Sequence, residues 1–343
     1  MTGPLAFFAV VARAVLARDL GRLGMGNLLM AVYPSAPAMP SPAVGPLPPQ
    51  AERDDAGVMR FTKMHGCGND YVYVDAWCER LPADLSALAR VISDRHTGVG
   101  SDGLIVVGPS ANGADAQMRM WNSDGSESEM CGNGIRCAAK LAWDHRRLGS
   151  NRSPRIETGA GVLRVDLCFV GNACNGAAVA MGKPRLEPAT VPVVHPGPGP
   201  RMEVALELAG HHLLFTAVGM GNPHAVTVVS DPESFPIAEV GPLVEHHPYF
   251  PRRTNVEFTT LRGMADGLPV IRQRTWERGS GITMACGTGA CAVTVAYILD
   301  GLIDGRSAIV RLDGGDLRVD WPSDDAEVRL EGEAVEVFEG VWL

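Results

Sequence analysis

No Cys-x2-Cys pair occurs anywhere in the 343 residues, although the chain carries eight cysteines. The near pairs Cys131/Cys137 and Cys286/Cys291 lack the partner Cys or His spacing of a zinc site. Nor are the spacings those of a small secreted disulfide scaffold. Reduced thiols in a cytoplasmic protein are the simpler account, and no metal is expected. Any basic run interleaved with aromatics is also missing. With a net charge of −9, the chain is poorly suited to nucleic acid or to an anionic membrane surface. The apolar stretch Ala6 to Leu16 is broken by Arg13 and too short to span a bilayer. Its positive charges lie within and after the apolar run, the wrong order for a signal peptide.

What the chain does have is one short phrase used twice. The first copy is Met130-Cys131-Gly132-Asn133-Gly134-Ile135-Arg136-Cys137 and the second Ala285-Cys286-Gly287-Thr288-Gly289-Ala290-Cys291. Each Cys-Gly-x-Gly follows a polar turn and precedes an apolar, helix-compatible run, so each cysteine is expected at the start of a helix. Unpaired N–H groups and a partial positive charge sit there, and a thiolate placed there is expected to have a lowered pKa. The glycines allow close backbone approach, and the free N–H groups can cradle a carboxylate. Two such cysteines in two similar halves suggest a pseudo-symmetric pair facing each other across a cleft. A thiol on each side of one carbon is what racemisation or epimerisation requires.

The length suggests about two domains at ~100–200 residues each. Residues 1–58 differ in texture from the rest: Pro34 to Gln50 is Pro- and Ala-rich, a linker composition, and the segment is expected to be an extension with little fixed structure. From Met59 onward strands outnumber helices. Alternating runs such as Arg60–Met64, Tyr71–Asp75, Leu104–Val107, Val256–Thr260 and Val270–Trp276 read as strands, and Leu85–Ser93 as a helix capped by Asp84. One principal helix per half points to an α+β fold with a curved sheet wrapped around it. Gly221-Asn222-Pro223-His224 reads as a tight turn, and Thr275-Trp276-Glu277-Arg278-Gly279 sets opposite charges just ahead of the second cysteine. Cys67, Cys78, Cys168 and Cys174 lack the helix-start context and are read as packing or surface residues.

From Met59 onward the chain resembles the diaminopimelate epimerases, a family of pyridoxal-phosphate-independent amino-acid epimerases. The matching stretches are Phe61 to Asp70, Asp94 to Asp102, Trp121 to Glu127, Met130 to Cys137, Ile156 to Gly161, Gly221 to His224, Arg253 to Val256 and Glu277 to Gly289. Ile282 departs from the pattern, standing where many relatives carry Glu, and Gly103 where some carry Gln. The resemblance implies two pseudo-symmetric domains, each a curved mixed β-sheet around a central helix, with the active site in the cleft between them. Residues 59–178 would form the first domain, with 332–343 returning to it, and 179–331 the second. It implies Cys131 and Cys286 as acid/base thiols, with His224 and Glu277 beside them. Gly132 and Asn133, with Gly287 and Thr288, would hold the reacting carboxylate. Asn69, Asn122, Asn222, Asn255, Glu277 and Arg278 would hold the distal amino-acid end of diaminopimelate. No cofactor is expected, the expected partner is this small-molecule substrate, and a homodimer is left open. Two alternatives are a proline racemase-like two-cysteine enzyme and a thiol-based metal-binding or redox interaction protein.

Overall fold

The computed structural model describes residues 58–194 and 203–343. The expected N-terminal extension therefore lies, save for its last residue, outside the described residues.

The repeat in the sequence is a repeat in the fold. The first half runs through strands Met59–Gly66, Asn69–Asp75, Gly103–Gly108, Ala116–Asn122 and Glu127–Ser128, then Arg155–Thr158, Gly161–Val170 and Ala173–Ala180. The second runs through His211–Gly219, Pro223–Val228, Asn255–Ala265, Leu268–Glu277 and Gly281–Thr283, then Ser307–Arg311, Asp316–Asp320 and Arg329–Glu333. In each half the second strand pairs parallel with the third, and the fourth parallel with the sixth, while the other neighbours are antiparallel. Helices fall at the same places. Helix α1 (Leu85–Ser93) and helix α3 (Ile237–Glu245) each follow the second strand of their half, and helix α2 (Gly132–Asp144) and helix α4 (Gly287–Leu299) each follow the fifth.

The halves are stitched together by their last strands. Ala173–Ala180 runs antiparallel to Arg329–Glu333, with Val179 opposite Leu330. The chain then returns, and Val335–Trp342 pairs with Met59–His65. The sequence-based boundaries 178/179 and 331/332 thus fall inside the two strands that join the halves, and the sheet crosses there without an edge.

The central helices are central because of their composition. Helix α4 is apolar all round, the signature of a helix enclosed on every side. Ala290, Val293, Val295, Ala296 and Tyr297 are buried against Val218, Val226, Val310, Leu317, Val319 and Leu330. Helix α2 buries Ile135, Ala138, Ala139, Leu141 and Ala142 against Met64, Ile105, Met118, Met120, Ile156 and Val179. Each fully buried aliphatic side chain contributes about 1.5–3 kcal/mol, so both helix starts are fixed by well-filled cores. Helix α1 carries its expected cap, Asp84 accepting from the Ala87 N–H at 2.8 Å. Helix α3 was not foreseen: Gly241-Pro242 reads as a helix breaker. It survives by burying Ile237, Val240 and Val244 in a third apolar cluster. A Cβ on Gly241 would lie 2.6 Å from the Trp276 ring, so that glycine lets the helix reach the strand beneath. Among the described residues no helix is long and apolar enough to cross a membrane.

Candidate active site

Cys131 and Cys286 are the N-cap residues of α2 and α4, with nearly matching extended backbones (φ −138°, ψ 121° and φ −124°, ψ 105°). Sulfur takes the place usually held by a Ser, Thr or Asp oxygen. Gly134 N donates to Cys131 Sγ at 3.4 Å, and Gly289 N to Cys286 Sγ at 3.4 Å. Gly134 and Gly289 let these turns settle on the strands below. A Cβ would meet Ile105 Cδ1 at 2.7 Å in the first case and Glu257 Oε1 at 2.8 Å in the second. The two helix starts meet: the Cβ directions of Gly132 and Gly287 both reach Leu330 Cδ2, at 3.7 and 3.1 Å. Gly287's also lies 3.8 Å from Asn133 Oδ1.

The expected lowering of the thiol pKa is overturned. Burial pushes the Cys131 thiol up, and this outweighs the Gly134 and Asn133 N–H groups and the Arg136 charge, which pull it down. Cys286 is pushed well above the ordinary thiol value by burial, then by Glu277 and Glu257, against weaker help from Thr288 and the Gly289 N–H. A helix start stabilises a thiolate only by its first-turn N–H groups and half-charge, and here the surrounding protein removes more solvation than they return. The second cysteine of each phrase lies inside its helix. Burial lifts Cys137 to about 11 and Cys291 to about 12, in keeping with inert core thiols.

Around Cys131 the structure gathers Asn69 and Asn133. Cys131 Sγ donates to Asn69 Oδ1 at 3.3 Å, and Asn133 Nδ2 lies 3.4 Å from the same oxygen. Asn69 Nδ2 in turn donates to Asp102 Oδ2 at 2.6 Å. Around Cys286 it gathers Thr288, Asn222, His224 and Glu277. Thr288 Oγ1 lies 3.5 Å from Cys286 Sγ, and Asn222 Nδ2 donates to that hydroxyl at 3.3 Å. Asn222 Oδ1 meets His224 Nε2 at 3.0 Å. His224 Nδ1 lies 2.7 Å from Glu257 Oε1, with neither side chain exposed at all. Glu277 accepts from Thr283 Oγ1 at 2.5 Å. Burial raises its pKa; Thr283, His224 and a hydrogen bond with Cys286 pull the other way, while Glu257 adds to the rise.

Three expected residues, Asn255, Arg278 and Asn122, are hydrogen-bonded within the protein. Asn255 is spent on backbone: Nδ2 donates to Pro223 O at 3.1 Å and Oδ1 accepts from Arg278 N at 2.8 Å, bracing the loop that carries Glu277 and Arg278. The Arg278 guanidinium donates to Arg252 O at 3.1 Å. Asn122 bonds within its own turn, to Ser126 Oγ at 3.0 Å. Ile282 is exposed on the short strand beside Trp276.

Sequence reasoning missed Glu257, Asp102, Arg136 and Leu330. Arg136 is fully buried at the root of α2, donating to Gly132 O at 3.0 Å, Asn133 Oδ1 at 3.1 Å and Glu333 O at 3.3 Å. Its signal was an arginine on the flank of an apolar helix. Glu257 had one too, a carboxylate between Val256 and Phe258 in a run read as a strand. Ligand atoms of His224, Glu257 and Cys286 lie within 4.8 Å of one another, a set that could hold a metal ion. Both His224 nitrogens and Glu257 Oε1 are already hydrogen-bonded there.

Fold and site define a two-domain α/β protein in which two sheet-wrapped helices meet start to start, each opened by a cysteine. Solved structures share that fold. A Bacillus anthracis phenazine biosynthesis protein of the PhzF family is similar with a TM-score of 0.62 at 17% identity, over 83% of this chain and 99% of its own. A probable proline racemase from Agrobacterium radiobacter is similar with a TM-score of 0.58 at 15% identity, over 82% and 92%. The family described as diaminopimelate epimerase matches residues 61–187 and 216–337. Relatives so named are 48% identical over 283 residues in Leptospira biflexa, covering 82% of this chain and 98% of that protein, and 45% identical over 282 residues in Methanococcus maripaludis, covering 82% and 99%. The chain belongs to the diaminopimelate epimerase family and is an isomerase.

Proposed function

We propose that the chain interconverts LL- and meso-2,6-diaminopimelate without a cofactor, by proton transfer between Cys131, the α-carbon and Cys286, at a step supplying lysine and peptidoglycan precursors. The observation that carries this reading is the pairing of two cysteine N-caps with matching backbone and matching Gly N–H contacts, on helix starts that share Leu330. One thiolate takes the α-proton and becomes a thiol. The opposite thiol gives its proton to the other face of the carbanion and becomes the thiolate. The carbanion's charge spreads onto the reacting carboxylate, which the N–H groups at Gly132 and Asn133 and at Gly287 and Thr288 are suited to hold. Such preorganised donors act most strongly in a closed, water-poor site.

His224 and Glu277 lie on the Cys286 side and tune that thiol. Glu277 suits the distal ammonium and Arg278 the distal carboxylate, since a guanidinium fork matches two oxygens. Asn69, Asn122, Asn222 and Asn255 complete the distal grip, Asn255 by holding the Arg278 backbone in place. Raised thiols and a buried pair mean that titration belongs to the pair rather than to either cysteine. The test is deuterium uptake at the α-carbon in D₂O, followed by NMR from LL- and from meso-diaminopimelate, with L- and D-proline alongside. Uptake with interconversion of the diaminopimelate isomers is expected. Turnover of proline alone would sink the reading in favour of a racemase of cyclic amino acids.

A further inference from the structure

Building on the two-thiol reading, we propose that Asp102 is a positioning residue that holds Cys131 as the thiol through Asn69. A carboxylate paired with arginine only accepts hydrogen bonds. Asp102 Oδ1 lies 2.9 Å from Arg95 Nη2. Its Oδ2 accepts from Asn69 Nδ2 at 2.6 Å and from Asp70 N at 3.1 Å. Asn69 therefore cannot turn over: its nitrogen faces Asp102 and its oxygen faces Cys131 Sγ at 3.3 Å. Asn133 Nδ2, at 3.4 Å from that oxygen, favours the same orientation. An oxygen fixed in this way accepts from a thiol and repels a thiolate. The other groups facing Cys131 are the Arg136 charge, the Tyr71 hydroxyl and the Gly134 and Asn133 N–H groups, all of which favour the thiolate. Asn69 is the contact that opposes them, and Asp102 holds it there.

On the Cys286 side the Glu277 carboxylate shares a hydrogen bond with the thiol and, with Glu257 behind it, also favours the neutral form. Cys286 also meets the Thr288 hydroxyl, which either donates or accepts. Behind it stand Asn222, His224 and Glu257 in series. Unlike Asn69 at Cys131, the Thr288 hydroxyl can present either its proton or a lone pair to Cys286.

The test is site-resolved alkylation of the full chain by iodoacetamide between about pH 6 and 10, a window around the ordinary thiol pKa, quantified on the Cys131 and Cys286 peptides by mass spectrometry. In Asp102→Ala no acceptor holds the Asn69 amide nitrogen, which releases Asn69 to present nitrogen to Cys131. Cys131 should then alkylate roughly three- to tenfold faster at neutral pH, about the weight of one hydrogen bond, with its midpoint moved down in pH. Cys286 should change by less than about twofold. Asp102→Ser, which also releases Asn69, should give the same sign, so the outcome does not hang on one variant's folding. Unchanged or slower Cys131 alkylation in folded protein would overturn the proposal, as would equal acceleration of both thiols. The readout needs no turnover, so it separates from the function itself. If proteins retaining only one of the two thiols exchange no α-proton, the two-thiol reading fails whatever the alkylation shows.

Discussion

Gly132 and Gly287 point at the same methyl group, Leu330 Cδ2, from the starts of two different helices. Leu330 itself sits on the strand that joins the halves, opposite Val179, and is fully buried. One side chain thus spaces the two helix starts. Leu330→Ala should cost about 2–5 kcal/mol, the range for a buried Leu truncated in a core. It should also raise KM for diaminopimelate more than it lowers kcat, because the paired N–H groups lose their spacing. Denaturant unfolding and steady-state kinetics check this; a stability loss with unchanged KM would mean that Leu330 only fills space.

The glycines at the third position of each helix make a matched pair for a second prediction. A Cβ at Gly134 would press on Ile105 Cδ1, a movable methyl, while one at Gly289 would press on Glu257 Oε1 and Gln273 Nε2 at 2.8 and 2.9 Å. Overpacking of this kind typically costs about 1–3 kcal/mol. Gly134→Ala should show mainly a stability loss. Gly289→Ala should also displace Glu257 from His224 and so lose activity out of proportion to its melting temperature. Equal activity losses in the two variants would contradict the asymmetry.

Much of this was legible in the sequence, and the parts that were not have physical reasons. The repeated Cys-Gly-x-Gly phrase placed both helix starts, because a polar turn, small residues and an apolar run are local signals. The resemblance named Asn69, Asn222 and His224 as site residues; Asn69 lies against Cys131, and Asn222 and His224 stand behind Thr288 on the Cys286 side. Helix α3 stayed hidden because Pro242 and Gly241 oppose helix locally and burial against Trp276 and Phe258 overrides them. Asp102 and Glu257 stayed hidden because their roles exist only through partners 33 residues away, Asn69 and His224. The thiol pKa was misjudged because a helix start is visible in a sequence, whereas the depth at which it is buried is not.

Burial gives the third prediction its sign. Both thiols ionise above the ordinary thiol range, so little thiolate exists at neutral pH. Epimerisation should climb with pH from about 7 to 9, approaching tenfold per unit where the thiolate is scarce. Stability runs the other way. The unfolded chain ionises its thiols at the ordinary value, while the folded chain keeps them neutral, as for Cys137 at about 11 and Cys291 at about 12. The advantage is therefore full below the unfolded value and is lost as pH rises toward the folded ones. Unfolding midpoints at about pH 8 and pH 10, on either side of the unfolded thiol value, should show the decline. A rate that falls between pH 7 and 8 would argue against a thiolate base.

The last prediction tests the two faces of the α-carbon. Cys131 and Cys286 cap helices from opposite halves, and each is served by its own polar cluster. Replacing either with Ala leaves one face without a proton carrier. Full epimerisation should then fall by about 10²–10⁴-fold, the usual contribution of a general acid or base. The remaining thiolate can still remove the proton on its own side and return a deuteron from solvent to that side. Each single variant should therefore exchange the α-proton of one stereoisomer in D₂O, and the two variants should prefer opposite isomers. Cys→Ser should be closer in shape but a far weaker base, since a hydroxyl ionises much less readily than a thiol. Cys67→Ala is the contrast. Cys67 is buried beside Arg136 and Asp316 O rather than at a helix start, on left-handed backbone (φ 54°). That variant should keep its turnover with a modest loss of stability. NMR with the LL and meso forms assayed separately reads all of these. Two single variants that exchange the same isomer, or that epimerise at near-normal rates, would show that the thiols do not stand on opposite faces.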